Sequence, residues 1–262
     1  MVGAETPYVV PLGIAAALPD LEHANSFLAV VRNGRYWLVD CADSPIGRLQ
    51  RAGIEPAAVQ GVIITHFHPD HVYGLPAYLL GLFLLDMERG QARETPVPIY
   101  ARPEVLSEVR DLVALFQNQG WTKYLPLVFR EVMSVEGAPV AEDGDFVITA
   151  APSDHTIPSM ALRFVRPDIG RAFVYSGDTR PCPTVERLAQ GAALLFHEAT
   201  DSDQGHTTPS AAGALAARAA VERLVLIHYR TASDAMAFAL NEAQKAFGGP
   251  VELAQEFKTY PW

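Results

Sequence analysis

The chain has 262 residues, enough for one large domain or two small ones and for a substantial buried core. With 49% hydrophobic and 19% charged residues its composition is that of an ordinary folded soluble protein. A formal net charge of −10 argues against a surface built to grip long nucleic acid, yet leaves room for a small anionic substrate drawn in by metal ions. Two cysteines, Cys41 and Cys182, make no disulfide framework, so a reducing, cytoplasmic setting is expected. Cys41 ends an apolar run and reads as a small buried hydrophobe. "MVGAETPYVV" has no basic region ahead of an apolar stretch, so no secretory signal is expected.

In chain order, "SFLAVV" and "YWLVD" flank "RNG", and the Asn-Gly dipeptide makes Ser26 to Asp40 a β-hairpin. "GVIIT", Gly61 to Thr65, is a short β-branched run that reads as a buried strand. It leads into "HFHPDH", which would then hang on a loop at the strand's carboxyl end, where open sheets place their chemistry. Gly74 to Glu88 reads as a helix. Its apolar stretch Leu75 to Met87 is too short to span a membrane and reads as core, or, over Leu75 to Leu85, as the wall of an apolar substrate pocket together with Phe116 to Tyr124. "PIYA" is a strand and Pro103 to Gln117 a second helix, with proline at its start. "LVFREVM", "DFVITAA", "ALRFV", "AFVYSGD" and "ALLFHEA" are successive strands. "TPSAAGALAARAA" is a helix with Thr208 as N-cap and Pro209 at the first helical position. "RLVLIH" is a strand ending at His228, and "DAMAFALNEAQKAF" a final helix. Two strand-rich halves, each with helices, predict an α/β arrangement of stacked sheets covered on both outer faces, with residues 1–262 forming one domain.

Seven of the eight histidines lie in short polar stretches that follow or end an apolar run: "THFHPDH", "SDHT", "FHEAT", "GHTT" and "LIHY". "YSGDT" places Asp178 in the same kind of position. His23 is the exception and reads as a surface residue. Four metal-type groups within His66 to His71 are hard to explain by packing, because buried polar groups need partners. His66, His68, Asp70, His71, His155, Asp178 and His228 make seven candidate ligands. That is too many for one tetrahedral ion, and suits two ions sharing a carboxylate. A nitrogen and oxygen set without thiolate favours two zinc ions, with manganese or iron as alternatives.

"THFHPDH" resembles the H-x-H-x-D-H signature of the metallo-β-lactamase superfamily, and His155, Asp178 and His228 follow in that family's order. The resemblance covers nearly the whole chain. It implies a four-layer αββα sandwich, two mixed β-sheets flanked by helices. Carried onto these residues, it puts the first metal on His66, His68 and His155, the second on Asp70, His71 and His228, and Asp178 between them. "VDCAD", "HFHPDHVYGLP", "YSGDTRP", "FHEAT" and "GHTT" further resemble the ribonuclease Z group of phosphodiesterases. In that group the glutamate of the first of the last two pieces orients the histidine of the second, which meets the phosphate. Here these are Glu198 and His206, and a carboxylate behind a histidine fixes its orientation and raises its pKa. The resemblance therefore implies a binuclear zinc phosphodiesterase using a metal-bridging hydroxide, with Asp70, His206 and Glu198 in catalytic roles.

Two features depart from that group. Only 22 residues separate His155 from Asp178, and "RFVRPDIGRAFV" reads as a plain hairpin, so the long basic tRNA-clamping arm is missing. "IHYRTAS" lacks the family's Ser-rich, Arg-Tyr continuation. The missing arm and the acidic charge disfavour tRNA as a partner and favour a small or medium anionic ester. Dimers are common among relatives, so a homodimer is one expectation; a membrane is not. The rival readings are a hydrolase of lactones, esters, thioesters or aryl sulfates on the same metals, and a metal-binding regulatory protein without turnover. An oxidoreductase variant is disfavoured because His68 is present.

Overall fold

In the computed structural model, residues 5–90, 92–116, 124–202 and 204–262 are described. β1 (Tyr8–Gly13) leads into the anticipated hairpin, β2 (Phe27–Arg32) and β3 (Arg35–Val39), in which Val30 faces Trp37. Asn33 and Gly34 at its tip have φ of 52° and 72°, the double left-handed pair that a two-residue turn needs to match strand twist. β4 (Val59–Ile63), β5 (Val97–Ala101) and β6 (Leu127–Glu131) add in parallel to β3, and β14 (Tyr260–Pro261) closes the other edge. Among the described residues this sheet has the order β14-β1-β2-β3-β4-β5-β6.

The second sheet runs β13-β12-β11-β10-β9-β8-β7. Its strands are β7 (Ala138–Glu142), β8 (Val147–Ser153), β9 (Ser159–Val165), β10 (Ala172–Tyr175), β11 (Leu194–Glu198), β12 (Leu224–Ile227) and β13 (Val251–Leu253). β8 and β10 each run antiparallel to β9, and β11 and β12 run parallel to β10. β8, β10, β11 and β12 therefore all end at the same edge.

Both faces of the first sheet are buried, which is why its strands show no apolar–polar alternation. Leu28, Val30, Trp37, Val39 and Ile63 point into a core shared with Phe164 and Phe173 of the second sheet. Phe27, Ala29, Tyr36, Leu38 and Val62 point the other way. There they meet α1 (Pro45–Arg51), α3 (Leu75–Glu88) and α4 (Pro103–Phe116) through residues such as Leu49, Leu82 and Val109. Each fully buried side chain of this size contributes about 1.5–3 kcal/mol, so two such cores dominate the stability. α5 (Pro183–Leu188), α6 (Pro209–Arg218) and α7 (Ser233–Phe247) cover the second sheet. A Cβ on Gly213 of α6 would lie 2.5 Å from the Ala243 carbonyl oxygen of α7, so glycine sets how closely those helices cross. The result is the expected αββα sandwich.

Leu75, Tyr78, Leu79 and Leu82 of α3 are core residues, so that part of the apolar stretch builds no substrate pocket. Of Phe116 to Tyr124, residues 117–123 lie outside the described residues, as does the last residue of the expected second helix. Thr208 caps α6 by accepting from the Ala211 amide. β9 and β10 form the plain hairpin read from "RFVRPDIGRAFV", closed by Arg166 N–H donating to the Arg171 carbonyl at 2.9 Å. Cys41 is buried, and burial pushes its thiol pKa up. α1, α5, β1, β7, β13 and β14 were not anticipated. Several are short, and a run of two to six residues holds too little of any period to be read. No helix among the described residues is long and apolar enough to cross a membrane.

The Tyr36 hydroxyl donates to the Pro56 carbonyl at 2.8 Å and accepts from the Tyr78 hydroxyl at 2.7 Å, entirely within the outer core. Burial pushes both phenols above their ordinary range. A raised folded-state pKa in an acid favours the neutral form. This contribution to stability is therefore full below the unfolded value of about 10 and declines as pH rises past it. In an alkaline titration followed at 295 nm, these two phenolates should appear only together with loss of the far-ultraviolet circular dichroism. Their ionisation near pH ~10 with the fold intact would contradict the burial.

Candidate metal centre

The chemistry-bearing residues sit where parallel-running strands end. β4 passes through Ile64 and Thr65 to His66 and His68. The chain then turns at once into α2 (Pro69–Val72), which carries Asp70 and His71. The expected loop is thus partly a helical turn, with proline at its first position and the His71 amide bonded to the His68 carbonyl. β8 ends at Ser153, two residues before His155, and β10 ends at Tyr175, three before Asp178. Glu198 is the last residue of β11, and His228 follows β12. Gly177 has φ of 57°, and a Cβ there would stand 2.7 Å from the Met160 carbonyl oxygen, so only glycine makes the bend that delivers Asp178. His228 has φ of 50° with no such excuse, a strained conformation of the kind that surrounding structure holds at functional sites.

Asp178 lies at the centre. Its Oδ2 is 3.7 Å from His66 Nε2, 3.6 Å from His71 Nε2, 3.5 Å from His228 Nε2 and 4.0 Å from His155 Nε2. Asp70 Oδ2 lies 3.5 Å from His71 Nε2 and 3.4 Å from His228 Nε2, and His155 Nε2 lies 3.1 Å from His68 Nδ1. Three groups result. His66, His68, His155 and Asp178 have ligand atoms all within 4.8 Å of one another, and so do Asp70, His71 and His228. The third group, Asp178, His206 and His228, shares Asp178 with the first and His228 with the second. All seven residues singled out as ligands come together.

A second layer aims the rings. His71 Nδ1–H donates to Asp40 at 2.8 Å. The Thr65 hydroxyl donates to Asp40 at 2.9 Å and accepts from His66 Nδ1–H at 3.0 Å. His155 Nδ1–H donates to the Gly205 carbonyl at 2.7 Å. The Thr200 hydroxyl donates to the His228 carbonyl and accepts from His228 Nδ1–H at 2.8 Å. For these four rings, Nδ1 is occupied and Nε2 is left facing the centre, as in metal sites whose outer partners fix the tautomer. Asp40, Thr65 and Thr200 were quoted from the sequence without a role. The readable signal for Asp40 was a carboxylate closing the apolar run "YWLV", the same position that its metal-type neighbours occupy.

The donor set fits divalent cations. His66 Nε2, His71 Nε2 and Asp178 Oδ1 are buried without a hydrogen-bond partner among the described residues, and each such atom costs about 1–3 kcal/mol unless something binds it. Burial and the neighbouring His71 push His66 down, toward the neutral form that ligates; burial does the same for His68 and His155. Burial opposes charge on Asp178 and on His71. The rings around Asp178, His228 and His71 foremost, outweigh this and hold its carboxyl well below the usual range. Asp178 and Asp40 outweigh it for His71 and push that ring up.

Glu198 is fully buried; its Oε1 accepts from the Thr207 amide at 2.9 Å and from His206 Nδ1–H at 3.1 Å. His206 stacks on His228 with ring centroids 5.5 Å apart, and its side chain is 17% exposed. Its Nδ1 is also the atom nearest Asp178, at 3.8 Å. Since that nitrogen is committed to Glu198, His206 is better placed to meet a ligand than to hold a metal. Burial lowers its pKa, but Glu198 outweighs burial and raises it. His197 is not brought to the centre; it is buried in β11 with Nδ1 on the Glu198 carbonyl. His23 lies apart, paired with Asp20 at 3.0 Å.

Fold and site together define a metal-dependent hydrolase. Residues 35–229 match the model of the beta-lactamase superfamily domain, and the chain belongs to that superfamily. Ribonuclease Z of Methanothermobacter thermautotrophicus is 28% identical over 291 aligned residues, covering 90% of this chain and 91% of the relative. Ribonuclease Z of Salinibacter ruber is 28% identical over 305, covering 96% and 93%. Among solved structures, the metallo-beta-lactamase fold protein YhfI from Bacillus subtilis superposes with a TM-score of 0.82 at 22% identity, covering 98% of this chain and all of that one. Human tRNase Z, short form, superposes at 0.77 with 24% identity, covering 96% and 98%. These two share the fold.

Asp40→Asn should loosen His71, because an amide can present its NH2 to Nδ1 and break the tautomer. Metal affinity is expected to fall about 10–100-fold. Competition with a chromophoric chelator measures it, and wild-type affinity would remove Asp40 from the support of the centre.

Proposed function

We propose that the chain is a two-metal phosphodiesterase. The observation that carries this reading is the Glu198–His206 pair beside the seven-residue cluster, a histidine oriented by a carboxylate where a phosphate over the metals would lie. His66, His68 and His155 would hold one ion, Asp70, His71 and His228 the other, and Asp178 would stand between them. Zinc suits this nitrogen and oxygen set, with manganese or iron as alternatives. When bound, such ions supply an activated water at neutral pH and stabilise charge on the phosphoryl oxygens.

The chain's own residues would do the rest. Asp70, with Oδ2 facing the centre, would orient the attacking water by accepting one of its protons. His206 would present Nε2 to the phosphate, because Nδ1 is held by Glu198. Glu198 favours its charged form, in which it would attract the diester and donate a proton to the departing oxygen. The ribonuclease Z relatives support phosphodiester chemistry. The plain β9–β10 hairpin and the net charge of −10 favour a small or medium anionic diester over tRNA.

His68→Ala and Asp178→Ala should each lose bound zinc, measured by plasma emission spectrometry, together with turnover. Two zinc ions retained in Asp178→Ala would sink its bridging place. His206→Ala should keep the metals and lose about 10²–10⁴-fold in kcat on bis(p-nitrophenyl) phosphate. An unchanged rate would take His206 out of the reaction, and faster turnover of a lactone than of any phosphodiester would overturn the reading.

A further inference from the structure

Beside the centre lies a cleft of about 500 Å3. Ala16, Leu18 and Pro19 form one wall, Arg230 and Ala232 the other, and Thr200 is shared with the metal site through its hydrogen bond to His228 Nδ1. We propose, resting on the phosphodiesterase reading, that this cleft receives the non-reacting ester group of the substrate. The substrate is then a phosphodiester bearing one apolar alkyl or aryl arm.

Four observations carry this. First, the lining is apolar: five of its nine residues are alanine, leucine or proline. Second, residues 17–22 are all exposed, with Leu18 at 88% and Leu21 at 105%, so this loop holds out apolar surface that the fold does not use. Third, the cleft is built before anything binds. Ala16 N–H donates to the Tyr229 carbonyl at 3.1 Å and ties the base of one wall to the other. Asp20 accepts from the Glu22 and His23 amides, both at 2.8 Å, and from His23 Nδ1–H at 3.0 Å, which fixes the turn that follows Leu18 and Pro19. A preformed cleft spares a ligand the cost of ordering it.

Fourth, the lining holds one cation, Arg230, and its one carboxylate, Asp20, is committed to the Glu22 and His23 amides. Arg230, two residues beyond His228, makes no hydrogen bond or ion pair among the described residues. A single free guanidinium at the edge of an apolar cleft suits one phosphate joined to a hydrocarbon. A polynucleotide would need a row of cations.

The test is a series of p-nitrophenyl phosphodiesters whose second group is methyl, propyl or hexyl, hydrolysed by the zinc-loaded protein. A fully buried methylene is worth about fourfold in binding, so kcat/KM should rise at least ~10-fold from methyl to hexyl. In Leu18→Ser that ratio should fall toward one. In Arg230→Ala, KM should rise across the series while the ratio persists. In Leu84→Ser, an exposed apolar position on α3, the ratio should persist unchanged. Hydrolysis of all three esters at equal kcat/KM would overturn the cleft assignment and leave the phosphodiesterase reading standing. If no diester is hydrolysed, that reading fails, and calorimetric binding of hexyl phosphate against methyl phosphate decides the cleft. Hexyl phosphate at least ~10-fold tighter, with the preference lost in Leu18→Ser, supports it. Equal affinity overturns it.

Discussion

One buried carboxylate organises this molecule. Asp178 is almost inaccessible to solvent, and its Oδ2 lies within 4.0 Å of five imidazole nitrogens. A charge so placed is unfavourable unless it is paired and surrounded by donors. The rings that meet it come from α2, from beyond β8 and from beyond β12, so the pairing is assembled from both sheets. Gly177 is the backbone device that makes it reachable, since no other residue fits beneath the Met160 carbonyl. The outer partners Asp40, Thr65, Gly205 and Thr200 then leave each Nε2 no choice but to face inward.

The sandwich exists to hold two strand-end edges against each other. β3 and β4 of the first sheet and β8, β10, β11 and β12 of the second all finish on the same rim. Burial of both faces of the first sheet locks the sheets in register. A one-residue slip of β4 would exchange Ile63 with Val62 between the two cores and move His66 with them. The same edge carries the apolar cleft, because the loop after β1 and the segment after β12 are bonded to each other beside it. The metal-type cluster, the Glu198–His206 pair and the cleft thus lie along one edge.

Much of this was legible from residues alone. The Asn-Gly hairpin, the capped α6, the core helix α3 and all seven cluster residues were readable because each carries a local signal. These signals are turn chemistry, a capping side chain, a long apolar run, and polar groups too dense or too regularly placed for packing. The short elements α1, α5, β7, β13 and β14 were not readable. Their lengths hold too little of any period, and their stability comes from packing against neighbours far along the chain. His197 shows the opposite failure. It sits in the right kind of stretch, yet it is one residue out of phase with Glu198 and is buried within the strand.

The sequence by itself determined which side chains are of metal-binding type and in what order they follow along the chain. Those are matters of residue type and number. Only the tertiary structure decided which nitrogen of each ring faces the centre, that His206 is taken by Glu198, and that Leu18 and Arg230 flank a cleft beside His228. These depend on contacts between residues as far apart as Ala16 and Tyr229 or His68 and His155. Such contacts arise from the folding of two sheets against each other, and no local pattern encodes them.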